Sequence, residues 1–358
     1  MDHKKRQKNL IKILKKTSLD ALIIRKKQNI AYLTGTRGED AILFTSGAKN
    51  CLITDSRYKE EYADQGKNCG IWIMKQKKGV ACSLEEISRK TRAKHIGFEE
   101  DHLRYSEYKE IKKKLKNKNL VPVKGVVENL RMIKDSYEIT HIKNACKYGS
   151  SVMNHALKIV KPGETEKHIK NRLNSYIVNR GLNRADFELI VASGKNASMP
   201  HAVSSNKKIK SGEMIVIDLG IMNYGYNSDL TRTVFLGRID PKYRRIYNIV
   251  LEAQKRAIEH IKPGVSAGFI DSISRQYISN KGLGRYFIHS LGHGLGLETH
   301  EIPSLSTNNN TILEKDMVIT VEPGVYIPGW GGIRIEDDIL ITKNGCEVLT
   351  NKAIKHKN

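Results

Sequence analysis

Residues 155–163 read HALKIVKPG, and residues 256–264 read RAIEHIKPG. The match continues without a gap, so that nine of 22 positions agree between residues 161–182 and 262–283. Each copy has the pattern of a helix, a Lys-Pro-Gly turn, a second helix, a Gly-Leu stop and then strands. A duplicated unit of this kind predicts an α/β domain with pseudo-twofold symmetry. Its two halves would enclose a central cleft to which both contribute side chains.

The chain before this repeat has a different pattern, in which short β-rich runs alternate with helical stretches. The β-rich runs are LDALII (19–24), AILF (41–44), CLIT (51–54), IWIM (71–74) and HIGFE (95–99). This alternation predicts a layered α/β domain. Pro and Gly in residues 121–125 indicate a linker, and residues 135–138 (DSYE) resemble a capping box that opens a long helix through about Val160. We therefore predict two domains, residues 1–125 and 126–358.

Composition excludes several classes of protein. The 358 residues carry 62 Lys+Arg against 38 Asp+Glu, a net charge of +24. The basic residues are spread over predicted helix faces and aromatic residues are only 6% of the chain, so we expect no specific nucleic-acid partner. No apolar run approaches the roughly 20 residues that span a bilayer, so we expect no membrane partner. The five cysteines form no Cys-x-x-Cys pair, which is typical of reduced thiols and predicts a cytoplasmic protein.

Polar residues interrupt the apolar strands of the repeat domain. They are Asp218, Asp229, His293, Glu322 and Glu336. Two carboxylates on neighbouring strands of a hairpin, such as Asp218 and Asp229, can face each other. Buried carboxylates raise each other's pKa values unless cations lie among them, and a pair of divalent metals would neutralise this set. Spacing alone leaves a second interpretation open, in which such acids are ordinary turn or capping residues, as Asp337 and Asp338 could be.

The five residues together resemble the ligand set of the pita-bread metallopeptidases, family M24. The sequences around them are also similar to that family: IDLG (217–220), SDLTRT (228–233), GHGLG (292–296), TVEPG (320–324) and IRIED (333–337). The first domain resembles the creatinase-type N-terminal domain of the Xaa-Pro peptidases in YLTG (32–35), TDSRY (54–58) and IGFE (96–99). The resemblance covers nearly the whole chain, and implies a creatinase-type domain followed by a duplicated pita-bread catalytic domain.

The resemblance implies roles for individual residues. Asp218, Asp229, His293, Glu322 and Glu336 would hold two metals, with Asp229 and Glu336 bridging them. Glu322 would also shuttle a proton, and His201 and His300 would contact the substrate and stabilise the tetrahedral species. Mn²⁺ is the metal we expect, with Co²⁺ or Zn²⁺ as alternatives. A homodimer is also expected from the resemblance.

Three features favour cleavage before proline over methionine aminopeptidase activity, which shares the ligand set. They are the additional N-terminal domain, which is typical of Xaa-Pro enzymes, His289, which is similar to the histidine of their proline-side pocket, and Arg334, which resembles the arginine that they carry beside the metals. The expected substrate is therefore a peptide with proline at its second position. We favour an Xaa-Pro aminopeptidase over an Xaa-Pro dipeptidase (prolidase), although no residue separates them. A non-catalytic pita-bread binding protein is a third possibility, but such relatives have lost ligands that this chain retains.

Overall fold

The computed structural model describes residues 2–47, 49–65, 69–74, 79–238 and 240–355. The chain divides into two compact units, Met1–Arg131 and Met132–Asn358. In the described residues, no helix is long and apolar enough to cross a membrane.

The first unit contains a six-stranded sheet with the strand order β4-β3-β2-β1-β5-β6. Its helices and strands are α1 (His3–Lys16), β1 (Ala21–Ile24), α2 (Lys27–Thr34), β2 (Ile42–Ser46), β3 (Asn50–Thr54), a 3₁₀ turn (Ser56–Tyr58), α3 (Lys59–Gln65), β4 (Gly70–Ile73), α4 (Val80–Thr91), β5 (His95–Glu99), α5 (Tyr105–Lys114), β6 (Asn119–Val123) and α6 (Val126–Met132). Strand β2 pairs antiparallel with both β1 and β3. Strand β4 pairs in parallel with β3, β5 with β1, and β6 with β5. The predicted alternation of strands and helices is thus confirmed.

The predicted linker at residues 121–125 is wrong, because residues 121–123 lie in strand β6. This strand pairs in parallel with β5 and is the last in the sheet. Pro122 is tolerated there because a proline on an edge strand can turn its missing N–H away from the ladder. The division between the two units falls at residues 131/132, and nearly all of α6 belongs to the first unit.

The second unit holds the repeat. Its helices and strands are α7 (Ser136–Ile159), α8 (Glu166–Asn179), β7 (Asn183–Arg184), β8 (Ile190–Ser193), a 3₁₀ turn (Gly194–Ser198), β9 (Met214–Leu219), β10 (Ile221–Asn223), β11 (Tyr226–Asn227), β12 (Leu230–Phe235), α9 (Pro241–Glu259), α10 (Ala267–Asn280), a 3₁₀ turn (Gly284–Tyr286), β13 (Gly292–Gly294), β14 (Glu301–Leu305), β15 (Val318–Val321), β16 (Gly324–Ile327), β17 (Gly331–Arg334), β18 (Asp337–Ile341) and β19 (Cys346–Val348). The two main sheets have the orders β12-β9-β8 and β14-β13-β15-β18-β19.

Helix α7 begins where the sequence predicts. The Asp135 side chain accepts a hydrogen bond from the backbone N–H of Glu138, whose side chain in turn accepts from the N–H of Asp135. This capping box satisfies two backbone donors at the helix start, and such a cap contributes about 1 kcal/mol. The helix ends at Ile159, with Val160 as its C-cap, so the predicted element is confirmed.

The two Lys-Pro-Gly turns have the same structure. Gly163 has φ +89° and Gly264 has φ +93°, and a Cβ added to either would meet no atom within 4 Å. The backbone conformation, and not crowding, therefore requires glycine at both turns. Two residues later, Thr165 and Ser266 cap α8 and α10 with their side chains. These matched turns and caps follow the sequence repeat.

Strand β9 is buried on both faces, as its MIVID sequence predicts. Met214 and Val216 pack into one hydrophobic core of this unit, whereas Ile215 and Ile217 pack into another. Because side chains alternate along a strand, Asp218 lies on the same face as Met214 and Val216. Asp218 therefore lies near the end of strand β9, on a face whose other side chains are buried.

Candidate metal centre

Strands β9 and β12 place the first two carboxylates on one face of a sheet. The two strands are antiparallel, and Asp218 lies opposite Thr231. Asp229 comes two residues before Thr231, so it shares the face on which Asp218 lies. The expected arrangement of the two acids on neighbouring strands is confirmed.

The other three predicted ligands come from the second sheet and its connections. His293 lies in β13, Glu322 follows β15, and Glu336 lies between β17 and β18. Strand β15 pairs with both β13 and β18, which brings the three side chains together. The His293 Nε2 atom is 3.2 Å from Glu322 Oε1 and 3.7 Å from Asp229 Oδ2.

All five predicted ligands line one cavity of about 530 Å³. Asp229, His293 and Glu336 each offer a ligand atom, and these atoms lie within 4.8 Å of one another. His201, His289, His300 and Arg334 line the same cavity. The structure therefore brings together every residue of the predicted site, from both halves of the repeat.

Two carboxylate oxygens in the cavity lack a protein partner. Among the described residues, Asp218 Oδ1 and Glu336 Oε1 are buried side-chain atoms that accept no hydrogen bond. A buried carboxylate oxygen without a partner is costly unless a cation satisfies it. The donor set of four carboxylates and one imidazole is also suited to divalent ions of intermediate softness. On both observations, the residues present fit a dinuclear metal centre.

The electrostatics of the cluster lead to the same conclusion. Burial, together with the charges of neighbouring acids, raises the pKa values of Asp229 and Glu336 well above the usual range. Burial also raises the pKa of Asp218, although the nearby Arg334 opposes the shift. Glu322 differs, because the hydrogen bond and charge of His293 overcome burial and lower its pKa to about 2. Without cations, the acids of this cluster cannot all be ionised at neutral pH without a large cost.

Threonine side chains orient two of the acids, which the sequence analysis missed. Thr231 donates from Oγ1 to Glu336 Oε2 at 2.7 Å, and Thr320 lies 3.4 Å from Glu322 Oε1. Both threonines lie two residues from a predicted ligand, on the same face of a strand. That period-two spacing was the available signal in the sequence.

Asp338 also supports the cluster, because its Oδ2 accepts from the backbone N–H of Asp229 at 3.0 Å. Cys146 of helix α7 donates to the same oxygen at 3.2 Å. Asp337 and Asp338 are both fully buried in β18, so the interpretation of these two residues as ordinary turn residues is wrong.

Arg334 is buried, and its guanidinium group donates four hydrogen bonds. Its Nη2 donates to Asp218 Oδ2 at 2.6 Å, and its Nη1 donates to the Tyr326 hydroxyl at 2.8 Å. Nε donates to Thr231 Oγ1 and Nη1 also reaches the carbonyl of Pro200. The guanidinium therefore fixes Oδ2 of Asp218 and leaves Oδ1, which accepts no hydrogen bond, for another ligand.

Three further histidines surround the cluster. His289 Nε2 is 3.0 Å from the Tyr326 hydroxyl, so Tyr326, which the sequence analysis missed, joins His289 to Arg334. The His300 ring lies 4.3 Å from that of His293, and burial and the charge of His293 lower the pKa of His300. Burial likewise lowers the pKa of His289. A neutral His300 can donate a hydrogen bond to a substrate without adding charge. Both ring nitrogens of His289 already have protein partners, Nδ1 at the Ser290 carbonyl and Nε2 at the Tyr326 hydroxyl.

The duplicated domain, whose cavity is lined by four carboxylates and one imidazole, fits the class of metal-binding proteins. Residues 140–343 match the description "Metallopeptidase family M24", and residues 6–133 match "Creatinase/Prolidase N-terminal domain". The chain therefore belongs to metallopeptidase family M24 and carries a creatinase-type N-terminal domain. The predicted family and fold class are confirmed.

Within this family, the chain is similar to named Xaa-Pro peptidases. The Xaa-Pro dipeptidase of Pyrococcus horikoshii is 39% identical to this chain over 96% of both proteins. The structure of the Xaa-Pro dipeptidase from Bacillus anthracis matches at a TM-score of 0.93 and 36% identity, and the match covers 98% of both chains. The X-Pro aminopeptidase from Thermotoga maritima matches at a TM-score of 0.89 and 33% identity, over 98% of this chain and 99% of that one.

Proposed function

We propose that this protein is an Xaa-Pro dipeptidase, a prolidase that hydrolyses the bond before the proline of a dipeptide. The observation that carries the proposal is the full-length identity of 39% to a named Xaa-Pro dipeptidase, in a chain whose five candidate ligands line one cavity. The sequence analysis favoured the aminopeptidase and kept the dipeptidase as its alternative. The named relatives favour the alternative.

The candidate centre would hold two divalent ions between Asp218, Asp229, His293, Glu322 and Glu336. Bound there, the ions would supply Lewis acidity at the scissile carbonyl and a water of lowered pKa. Mn²⁺ is the metal we propose, because carboxylate-rich donor sets suit it. A homodimer and a cytoplasmic location complete the proposal.

The protein's own residues would move the proton. Glu322 would act as the proton acceptor, as the family resemblance implies. Its carboxylate can accept a proton from the attacking water and release it to the leaving proline nitrogen. His201 and His300 would donate hydrogen bonds to the carbonyl oxygen as negative charge develops there.

Other residues would select and orient the substrate. Asp218 would meet the free amino group, which confines cleavage to the first bond. His289, held by Tyr326, would contact the proline ring, and Arg334 would keep Asp218 in place. An Xaa-Pro bond is a tertiary amide without an N–H. A site that acts on the carbonyl does not need that missing donor.

A paired assay tests the proposal. The protein, supplied with Mn²⁺, is given an Xaa-Pro dipeptide and the matching Xaa-Pro-Yaa tripeptide, and kcat/KM is measured for both. We expect the dipeptide to be cleaved with the higher kcat/KM. Preference for the tripeptide would assign the aminopeptidase activity, and cleavage of neither substrate would contradict both assignments.

A further inference from the structure

A closed polar network lies behind the candidate metal centre, on the side away from the cavity. Asp337, which directly follows the last predicted ligand, has no solvent-exposed surface. Its Oδ1 accepts from Arg232 Nη2 and Thr350 Oγ1, both at 2.8 Å. Its Oδ2 accepts from Lys355 Nζ at 2.6 Å and Gln254 Nε2 at 3.1 Å. Four donors thus hold one carboxylate, and they come from strand β12, helix α9 and the segment after β19.

Gln254 connects this network to the backbone beside two predicted ligands. Its Nε2 lies 3.0 Å from the carbonyl oxygen of Val321 and 3.2 Å from that of Ile335, so that its two N–H groups are shared among these carbonyls and Asp337. These residues directly precede Glu322 and Glu336. The amide must keep its nitrogen toward both carbonyls, because the reversed amide would oppose oxygen to oxygen.

Lys355 fixes the orientation of that amide. Its Nζ donates to Gln254 Oε1 at 2.8 Å as well as to Asp337. The ammonium therefore holds the acceptor end of the glutamine and the carboxylate next to the last ligand. The lysine side chain is 29% exposed, whereas that of Asp337 is fully buried, so Lys355 closes the network on its outer side.

The segment that carries Lys355 is held in place by residues outside the network. Asn154 of helix α7 donates from Nδ2 to the carbonyl of Lys352 at 2.9 Å, and its Oδ1 accepts from the N–H of Ile354 at 3.0 Å. The Tyr247 hydroxyl donates to the carbonyl of Lys355. The lysine is thus presented to the network by a docked segment.

We propose that Lys355 is a positioning residue of the metal centre, acting through Gln254 and Asp337 on the backbone that carries Glu322 and Glu336. The inference rests on the proposed dinuclear centre. Residues that orient metal ligands from behind typically alter metal affinity or activity by 10–100-fold when they are replaced. The segment around Lys355 then contributes to the geometry of the site, although none of its residues lines the cavity.

The test replaces Lys355 with methionine, which keeps the length of the side chain and removes its charge and donors. Metal-free full-length protein is titrated with Mn²⁺ by calorimetry, and its Tm is measured without metal. We expect Lys355→Met to raise the Kd for Mn²⁺ about tenfold, and Lys355→Arg to stay within about threefold of the wild type. Lys352→Met is the matched control and should not change the Kd, because Lys352 is exposed three residues earlier in the same segment.

Asn154→Ala provides a second variant, which loosens the segment and leaves the network intact. We expect it to raise the Kd for Mn²⁺ in the same direction by a smaller factor. An unchanged Kd in Lys355→Met would overturn the inference. A raised Kd that Lys355→Arg does not restore, with an equal fall in the metal-free Tm of both variants, would assign Lys355 a structural role only. Failure of the wild type to bind Mn²⁺ would instead contradict the proposed centre.

Discussion

The buried ion pair between Lys134 and Glu301 makes a quantitative prediction. The pair has an N–O distance of 3.2 Å, and the two side chains are only 1% and 5% exposed. Replacing Lys134 with methionine removes a buried positive charge that faces Glu301, and breaking a buried ion pair typically costs about 3–5 kcal/mol. The Glu298 N–H still donates to the other oxygen of Glu301, so we expect the lower end, about 3 kcal/mol. For a unit of this size, that loss lowers Tm by about 6–12 °C.

The assay is thermal and urea unfolding of Lys134→Met, with two comparison variants. The double variant Lys134→Met/Glu301→Gln should recover at least half of the lost stability, because the buried negative charge that Lys134 faced is also removed. Lys143→Met should change stability by less than about 1 kcal/mol, since its pair with Glu347 is exposed. We also expect kcat to fall in Lys134→Met, because Glu301 follows the candidate catalytic residue His300. Equal stability losses in Lys134→Met and Lys143→Met would refute the reasoning.

Three further predictions concern the metal centre. Glu322→Ala should abolish Xaa-Pro hydrolysis, because the substitution removes a ligand and the proton acceptor. Activity near that of the wild type in the same Mn²⁺ assay would contradict both roles. Arg334→Met should weaken Mn²⁺ binding and destabilise the protein. His289→Ala should reduce kcat/KM for Xaa-Pro substrates with little change in Tm. A large fall in the Tm of His289→Ala would show instead that His289 has a structural role. After chelation, the free energy of unfolding should fall as pH rises from 5 to 7, by up to about 1.4 kcal/mol per pH unit for each group. The sign follows because burial raises the pKa values of Asp229 and Glu336, so the folded state binds more protons than the unfolded state; urea titrations showing a rise over that interval would exclude this explanation.

Much of the second unit could be predicted because its signals are local or repeated. The Lys-Pro-Gly turns, the capping box before α7 and the apolar run of β9 each depend on a few adjacent residues. The candidate ligands were identified from their resemblance to a known ligand set, because their spacing alone left turn or capping roles open. Their common cavity follows from the duplication, which places equivalent strands on both sides of one cleft.

The contacts that support the candidate site could not be predicted, because they join side chains that are distant in the sequence. Gln254 and Lys355 look like ordinary surface residues of a helix and a terminal segment, yet they contact each other and Asp337. Tyr326 shows no sign of its contacts with His289 and Arg334 until β16 and β17 are paired. The misplaced linker has a similar cause, since Pro122 indicates an edge strand as readily as a loop once its neighbour β5 is known.

The candidate ligands come from both halves of the repeat, with Asp218 and Asp229 in the first and His293, Glu322 and Glu336 in the second. During synthesis, the first half therefore emerges from the ribosome with two of the five candidate ligands, both of them acids. Metal loading at the proposed centre would wait until the second half has folded against the first, because neither half supplies all five candidate ligands. Acquisition of the ions would then be a late event in the maturation of the protein.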